Sequence, residues 1–153
     1  MNALENPTLP DLTAIQSYAQ LLHGSLFSGI GGFEEGAERA GIKTLWNCEY
    51  ETFQRNILKK HYKDNEQFTD VRTAAISERV NIISGGFPCQ DISVAGKMEG
   101  IKGERSGLWS EMHRIIRSIR PEYVIIENSP DLLIRGFERV LCDLSEIGYS
   151  TEW

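Results

Sequence analysis

The sequence predicts an α/β domain built on a mostly parallel sheet with helices on both faces. Two observations carry that prediction. Short apolar runs recur along the chain and end at glycine or an acidic residue: Ser25–Phe27, Thr44–Cys48, Val80–Ile83 and Tyr123–Ile126. Between them, apolar residues fall at three- and four-residue spacing, as on an amphipathic helix. Alternation of this kind implies parallel strands joined by right-handed crossovers.

Residues 1–22 read as a loose, proline-bearing leader followed by a helix from Asp11 to Leu22, and residues 23–153 as the domain itself. Ser25–Phe27 is a short strand, and a helix from about Gly32 to Ala40 stops at Gly41, which suits a helix C-terminus. Thr44–Cys48 is the second strand. Tyr50–Tyr62 reads as a helix with basic residues in its last turn, where they complement the helix dipole. Phe68 marks a short third strand before Asp70, and Val80–Ile83 is the fourth. The glycine-studded stretch Asp91–Gly107 reads as a long loop, a type that is usually functional in compact domains. Leu108, Met112, Ile115, Ile116 and Ile119 form one helical stripe that Pro121 ends. Tyr123–Ile126 is expected to be a fully buried fifth strand. One last helix carries Leu133 to Ile147 and ends at Gly148. Tyr149–Trp153 reads as the start of a further strand, so the fold is expected to be incomplete at its carboxyl-terminal edge.

A length of 153 residues suits one domain, and 41% apolar with 25% charged residues is ordinary for a globular chain. No apolar run reaches membrane-spanning length and no signal pattern opens the chain, so a cytoplasmic protein without membrane contact is expected. Cys48, Cys89 and Cys142 are scattered and odd in number, as are His23, His61 and His113; they suggest reduced thiols and no metal site. The net charge of −6 argues against this piece alone gripping a nucleic acid backbone strongly.

Two stretches carry chemistry. In Ser84–Ser93, Cys89 follows Pro88 on a stiff segment just beyond an apolar strand, where doubly wound sheets collect ligands and reactive groups. A thiol there suits a nucleophile. Phe27-Ser28-Gly29-Ile30-Gly31-Gly32 joins the first strand to a helix, so backbone can approach a ligand closely. Glu49 ends the second strand about twenty residues later, placed to accept both ribose hydroxyls of a nucleoside. Dehydrogenases share that geometry, but Glu34 stands where their fingerprint needs a small residue beside pyrophosphate. A phosphate-free, positively charged cofactor fits better, which favours S-adenosylmethionine. Tyr50 could stack on its adenine, and Asp70 could accept from the adenine amino group.

Together these motifs resemble the DNA (cytosine-5)-methyltransferase family over roughly residues 24–153. Phe27-x-Gly29-x-Gly31-Gly32 is similar to its first cofactor motif, with Glu49-Tyr50 and Asp70 at the second and third. Gly86-Phe87-Pro88-Cys89-Gln90 is similar to the catalytic-cysteine motif, and Glu127-Asn128 to the Glu-Asn-Val motif, with Ser129 in place of valine. The resemblance implies a Rossmann-like S-adenosylmethionine-dependent methyltransferase fold. It implies that Phe27, Ser28, Gly29, Gly31, Gly32, Glu49, Tyr50, Asp70, Val71 and Pro88 bind the cofactor and that Cys89, Glu127 and Asn128 are catalytic. Glu127 is then expected to be buried, so that desolvation favours its protonated form. The implied substrate is double-stranded DNA with a flipped cytosine, as in restriction-modification systems, although relatives acting on transfer RNA share these motifs. Gln90, Ser93, Lys97 and Arg105 are the implied DNA contacts. The family's Gln-x-Arg-x-Arg motif, target-recognition region and last motifs would fall after residue 153. A carboxyl-terminal partner chain is therefore one expectation, and inactivity alone another. The alternatives are a cofactor-binding remnant without catalysis and an interaction module.

Overall fold

The computed structural model describes residues 20–88 and 107–153. Its elements run β1 (Leu22–Leu26), α1 (Gly32–Arg39), β2 (Lys43–Cys48), α2 (Thr52–His61), β3 (Glu66–Phe68), β4 (Ile82–Gly85), α3 (Gly107–Ile119), β5 (Tyr123–Ile126), α4 (Asp131–Arg135) and α5 (Phe137–Glu146). The five strands form one sheet in the order β3-β2-β1-β4-β5, and every pairing is parallel. From β1 the chain winds outward through β2 to β3, then returns to the other side of β1 for β4 and β5. Right-handed crossovers therefore set α1 and α2 on one face and α3 on the other. The reversal lies between β1 and β4, at the kind of switch point where such sheets bind ligands.

Strand alternation gives the two faces different chemistry. Gly24, Leu26, Trp46, Cys48, Ile83 and Gly85 share the face that meets Met112 of α3. Trp46 lies over Gly24 so closely that a Cβ on residue 24 would sit 2.1 Å from its ring. On the opposite face, His23, Ser25, Thr44, Asn47 and Ser84 are all buried. A register shift between His23 and Gly24 leaves Leu45 as the extra residue of β2 and keeps Thr44 beside His23.

Several expectations are corrected. Most of the helix foreseen over Asp11–Leu22 lies outside the described residues, but Leu22 begins β1, three residues before the expected strand start. The fourth strand is Ile82–Gly85 rather than Val80–Ile83. Gly85 belongs to the sheet because a side chain there would meet the Leu26 carbonyl at 2.9 Å and Met112 at 3.2 Å. Asn81 instead clips three strand starts together. Its side chain accepts from Leu22 N–H at 2.9 Å and donates to Glu122 at 2.7 Å, while its carbonyl takes the Glu122 and Tyr123 amides.

β5 is not fully buried: Tyr123 is 61% and Ile125 49% exposed, and among the described residues only β4 pairs with it. An apolar run shows that a strand is core-compatible, not that both its faces are covered. The single last helix is two, α4 and α5, separated at Gly136. Tyr149–Trp153 forms no strand. The Tyr149 hydroxyl donates to the Pro121 carbonyl, and Arg120 lies over the Tyr149 ring. The loop foreseen over Asp91–Gly107 lies outside the described residues, apart from Gly107, which opens α3.

Candidate functional site

Parallel strands bring their carboxyl ends to one edge of the sheet, so residues ending β1 to β4 meet although up to sixty positions separate them. They enclose a cavity of about 650 Å³. Phe27, Glu49, Tyr50, Asp70, Val71 and Pro88, all expected at a cofactor site, line it together with Gly86 and Leu108. Ser28, Gly29, Gly31 and Gly32 do not line it; they form the turn into α1.

That turn is tied to the cavity through Glu49. One carboxylate oxygen of Glu49 accepts the Gly29 amide at 2.7 Å and the other accepts the Glu51 amide at 2.8 Å. Each oxygen keeps a further lone pair for a ligand hydroxyl. Positive φ angles run through the turn: 54° at Phe27, 56° at Gly29 and 101° at Gly31. Phe27 is the costly one, a non-glycine residue held in a sparsely populated region at a ligand-facing position. Gly31 is required twice over, by its φ and because a Cβ would lie 2.5 Å from the Tyr62 ring. Tyr62 also donates its hydroxyl to the Gly31 carbonyl at 3.1 Å, so the end of α2 braces the start of α1.

Beneath this turn Glu34 is fully buried, and neither of its carboxyl oxygens has a hydrogen-bond partner among the described residues. Burial raises its pKa. Its own backbone amide and the nearby Ser28 and Ser25 hydroxyls, which bond each other rather than the carboxyl, temper that rise, and the like charge of Glu49 adds to it. Burial thus disfavours a second full negative charge beneath the turn.

The second half of the site lies across β4 and β5. Glu127 N–H donates to the Gly85 carbonyl at 3.1 Å, continuing the ladder, and Asn128 donates its side-chain amide to the Phe87 carbonyl at 2.9 Å. A Cβ on Gly86 would sit 2.6 Å from Glu127 Oε2, so this glycine is what lets the carboxylate lie against the chain three residues before Cys89. Glu127 and Asn128 are thus brought to the segment that leads into the cysteine. Cys89 itself lies outside the described residues, as do Gln90, Ser93, Lys97 and Arg105. The expected burial of Glu127 is not observed; the residue is exposed.

Cys48 also lines the cavity, but burial, with the negative charges of Asp70 and Glu49, pushes its thiol up to about 12. It stays a protonated, inert thiol at neutral pH. Sequence reasoning missed Tyr62 and Arg72. Arg72 binds both oxygens of Asp70 and lies over the Tyr50 ring; the one sequence signal was an opposite charge two positions after Asp70.

The donor set suits a phosphate-free nucleoside. Three carboxylates, Glu49, Glu51 and Asp70, line the cavity and can accept hydrogen bonds, apolar walls come from Phe27, Val71 and Pro88, and Arg72, the one cation among the described lining residues, is paired to Asp70. Among the described residues no group of three or more His, Cys, Asp or Glu is placed to hold a metal, and no helix is long and apolar enough to cross a membrane.

Known proteins resemble this chain over most of its length. The type II methyltransferase M2.BsuMI of Bacillus subtilis is 35% identical over 134 residues, covering 82% of this chain and 34% of that protein. The type II methyltransferase M.HhaI of Haemophilus parahaemolyticus is 30% identical over 105 residues, covering 67% and 32% respectively. The chain thus spans about a third of the length of these relatives. A solved structure described as a DNA modification methyltransferase encoded within an E. coli prophage superposes with a TM-score of 0.67 at 21% identity, over 84% of this chain and 38% of that one, so the Rossmann-like methyltransferase fold is shared. The family model for C-5 cytosine-specific DNA methylases matches residues 23–153, and the chain belongs to that family.

Proposed function

We propose that this chain is the cofactor-binding and cysteine-bearing part of a DNA (cytosine-5)-methyltransferase. The observation that carries the reading is the clasp of Glu127 and Asn128 onto Gly85–Phe87, the segment that precedes Cys89 in the sequence, beside a cavity lined by Glu49, Gly86 and Pro88. S-adenosylmethionine, when bound, supplies an electrophilic methyl group. Phe27, Tyr50, Val71 and Pro88 would enclose its adenine, Glu49 would accept from its ribose and Asp70 from its amino group. The Cys89 thiolate would add to carbon 6 of cytosine, which turns carbon 5 into a nucleophile. Glu127 would meet the negative charge pushed toward ring nitrogen 3 by holding a proton there. After methyl transfer, carbon 5 loses its proton and the thiolate leaves, restoring the ring. The base must leave the stack for this, at a cost of roughly a few kcal/mol. An exposed Glu127 fits that sequence of events, because the entering base itself supplies the desolvation.

Activity on DNA is expected only when the region that longer relatives carry beyond the matched part is supplied, as a continuous chain or a partner. With that region from a relative added, Cys89→Ser abolishes the covalent adduct with 5-fluorocytosine DNA; a surviving adduct removes Cys89 as nucleophile. Calorimetric titration tests the cofactor half directly. Glu49→Ala should cost about 1.5–3 kcal/mol of S-adenosylmethionine affinity. It also releases the Gly29 and Glu51 amides, so the turn into α1 loosens with it.

A second reading, an interaction module, is favoured by the edge of β5, which no strand among the described residues covers, and by the groove of about 560 Å³ beside it. Glu122 and Glu127 at the two ends of that strand would face like charges in an antiparallel self-pairing, so a different chain suits the edge better than a second copy. Sedimentation at several concentrations separates these: self-association would favour the copy.

A further inference from the structure

We infer that Arg72 is a positioning residue that sets the cofactor pocket's preference for an amino-bearing purine, an inference that rests on the S-adenosylmethionine reading of the cavity. One guanidinium joins the two groups assigned to the adenine. Its Nε and Nη2 reach the Asp70 carboxylate at 3.0, 3.1 and 2.8 Å, and its plane lies 5.7 Å from the centre of the Tyr50 ring, within cation–π range. The Arg72 backbone amide adds a bond to Asp70 Oδ1 at 3.0 Å.

The magnitudes say what this arrangement is for. The Arg72 side chain is 58% exposed, and an ion pair so open contributes little to stability. Its geometry is nevertheless a two-pronged fork, which fixes the plane and rotation of a carboxylate where a lysine would only neutralise it. Three N–H groups of Arg72 make four bonds to Asp70, two on each oxygen, because Nε is shared between Oδ1 and Oδ2. The half of that shared bond on Oδ2, the longest of the four at 3.1 Å, is the one an incoming donor can replace while the other three keep the carboxylate in place. Asp70 and Arg72 both line the cavity. A lone pair opened in this way can accept from an exocyclic amine and would repel an exocyclic carbonyl oxygen. Holding Asp70 still therefore converts a general negative charge into discrimination between adenine and a 6-oxo purine. The same guanidinium steadies Tyr50, otherwise a largely exposed ring with freedom to turn away.

The test is a ratio. Calorimetry with S-adenosylhomocysteine and its inosine counterpart is run on the wild-type chain, Arg72→Ala and Arg72→Lys, with thermal melting alongside. The wild-type chain should prefer the adenine compound. Arg72→Ala should lose about tenfold in affinity for it and far less for the inosine compound, with an unchanged melting temperature. Arg72→Lys keeps the charge but not the fork, so the preference should fall there too. Should the alanine variant fail to fold, the lysine variant carries the same comparison. Equal losses for both compounds, or no loss, would overturn the inference while leaving the cofactor reading intact. Tighter binding of the adenine compound by Arg72→Ala would overturn it as well, by making Arg72 a competitor for the slot. A wild-type chain that binds neither compound would bring down both readings.

Discussion

The two faces of the sheet obey different rules. Toward α3 the strands present Gly24, Leu26, Trp46, Cys48 and Ile83, a closely packed surface whose one buried side-chain polar atom, Trp46 Nε1, has no partner among the described residues. Toward α1 they present a buried polar seam. His23 bonds Thr44 through Nδ1 at 2.9 Å and Ser84 through Nε2 at 2.7 Å, while Ser28 reaches Ser25 at 3.0 Å and Glu34 lies among them. The first face is limited by shape and the second by protonation. The polar face is the one beneath the glycine turn, where the Ser28 hydroxyl bonds the Ser25 carbonyl and hydroxyl and can hold backbone in place as a plain apolar contact cannot.

The largest expected effect exploits protonation. Burial lowers His23 to about 4 from 6.5. Between those values the unfolded chain binds a proton that the folded chain refuses, so stability rises with pH across the window. It should be level above 6.5, fall by about 3 kcal/mol on acidification to pH 4, and level off again below. His23→Gln keeps a donor and an acceptor between Thr44 and Ser84 but cannot titrate. Denaturant unfolding of both proteins at pH 7, 5.5 and 4 should show their difference shrinking or reversing toward acid. A constant difference would mean that the ring is not held neutral.

The opposite face answers with volume. Gly24→Ala drives a methyl group into the Trp46 ring and should cost roughly 1–3 kcal/mol. The cost should be the same at every pH that leaves the protein folded. If it varied with pH as the His23 effect does, the two faces would be coupled and the contrast between them would fail.

Much of this architecture was legible. Glu49, Tyr50 and Asp70 could be placed at one site because parallel strands always deliver their carboxyl ends to the same edge. Glu127-Asn128 was legible through its resemblance to the family's Glu-Asn motif; the pairing of β5 with β4 is what sets it against Gly85–Phe87. The seam was invisible for a physical reason: Thr44 and Ser84 are 21 and 61 residues from His23, and only strand register brings the three together. β4 was misplaced because Gly85 and Gly86 look alike in sequence. One is a strand residue making room for Met112, the other a turn residue making room for Glu127. Arg72 and Tyr62 escaped because their contacts depend on how far a side chain reaches across a loop, which no local pattern encodes.

Glu34 sharpens the comparison from within the polar face, with the sign reversed. Its pKa is raised in the fold, so the folded chain keeps a proton that the unfolded chain releases above the ordinary carboxylate range. Its contribution is therefore most favourable in acid and is lost as pH rises through the folded value. Glu34→Gln preserves shape and cannot ionise, so it should be more stable than the wild type at pH 7.5, with the gap closing toward pH 4.5. The gain should be the smallest of the three, because the backbone amide of Glu34 and the polar groups around it temper the effect of burial. Thermal melts at the two pH values decide the matter. A glutamine variant less stable than the wild type at pH 7.5 would mean that Glu34 works as a carboxylate with a cationic partner.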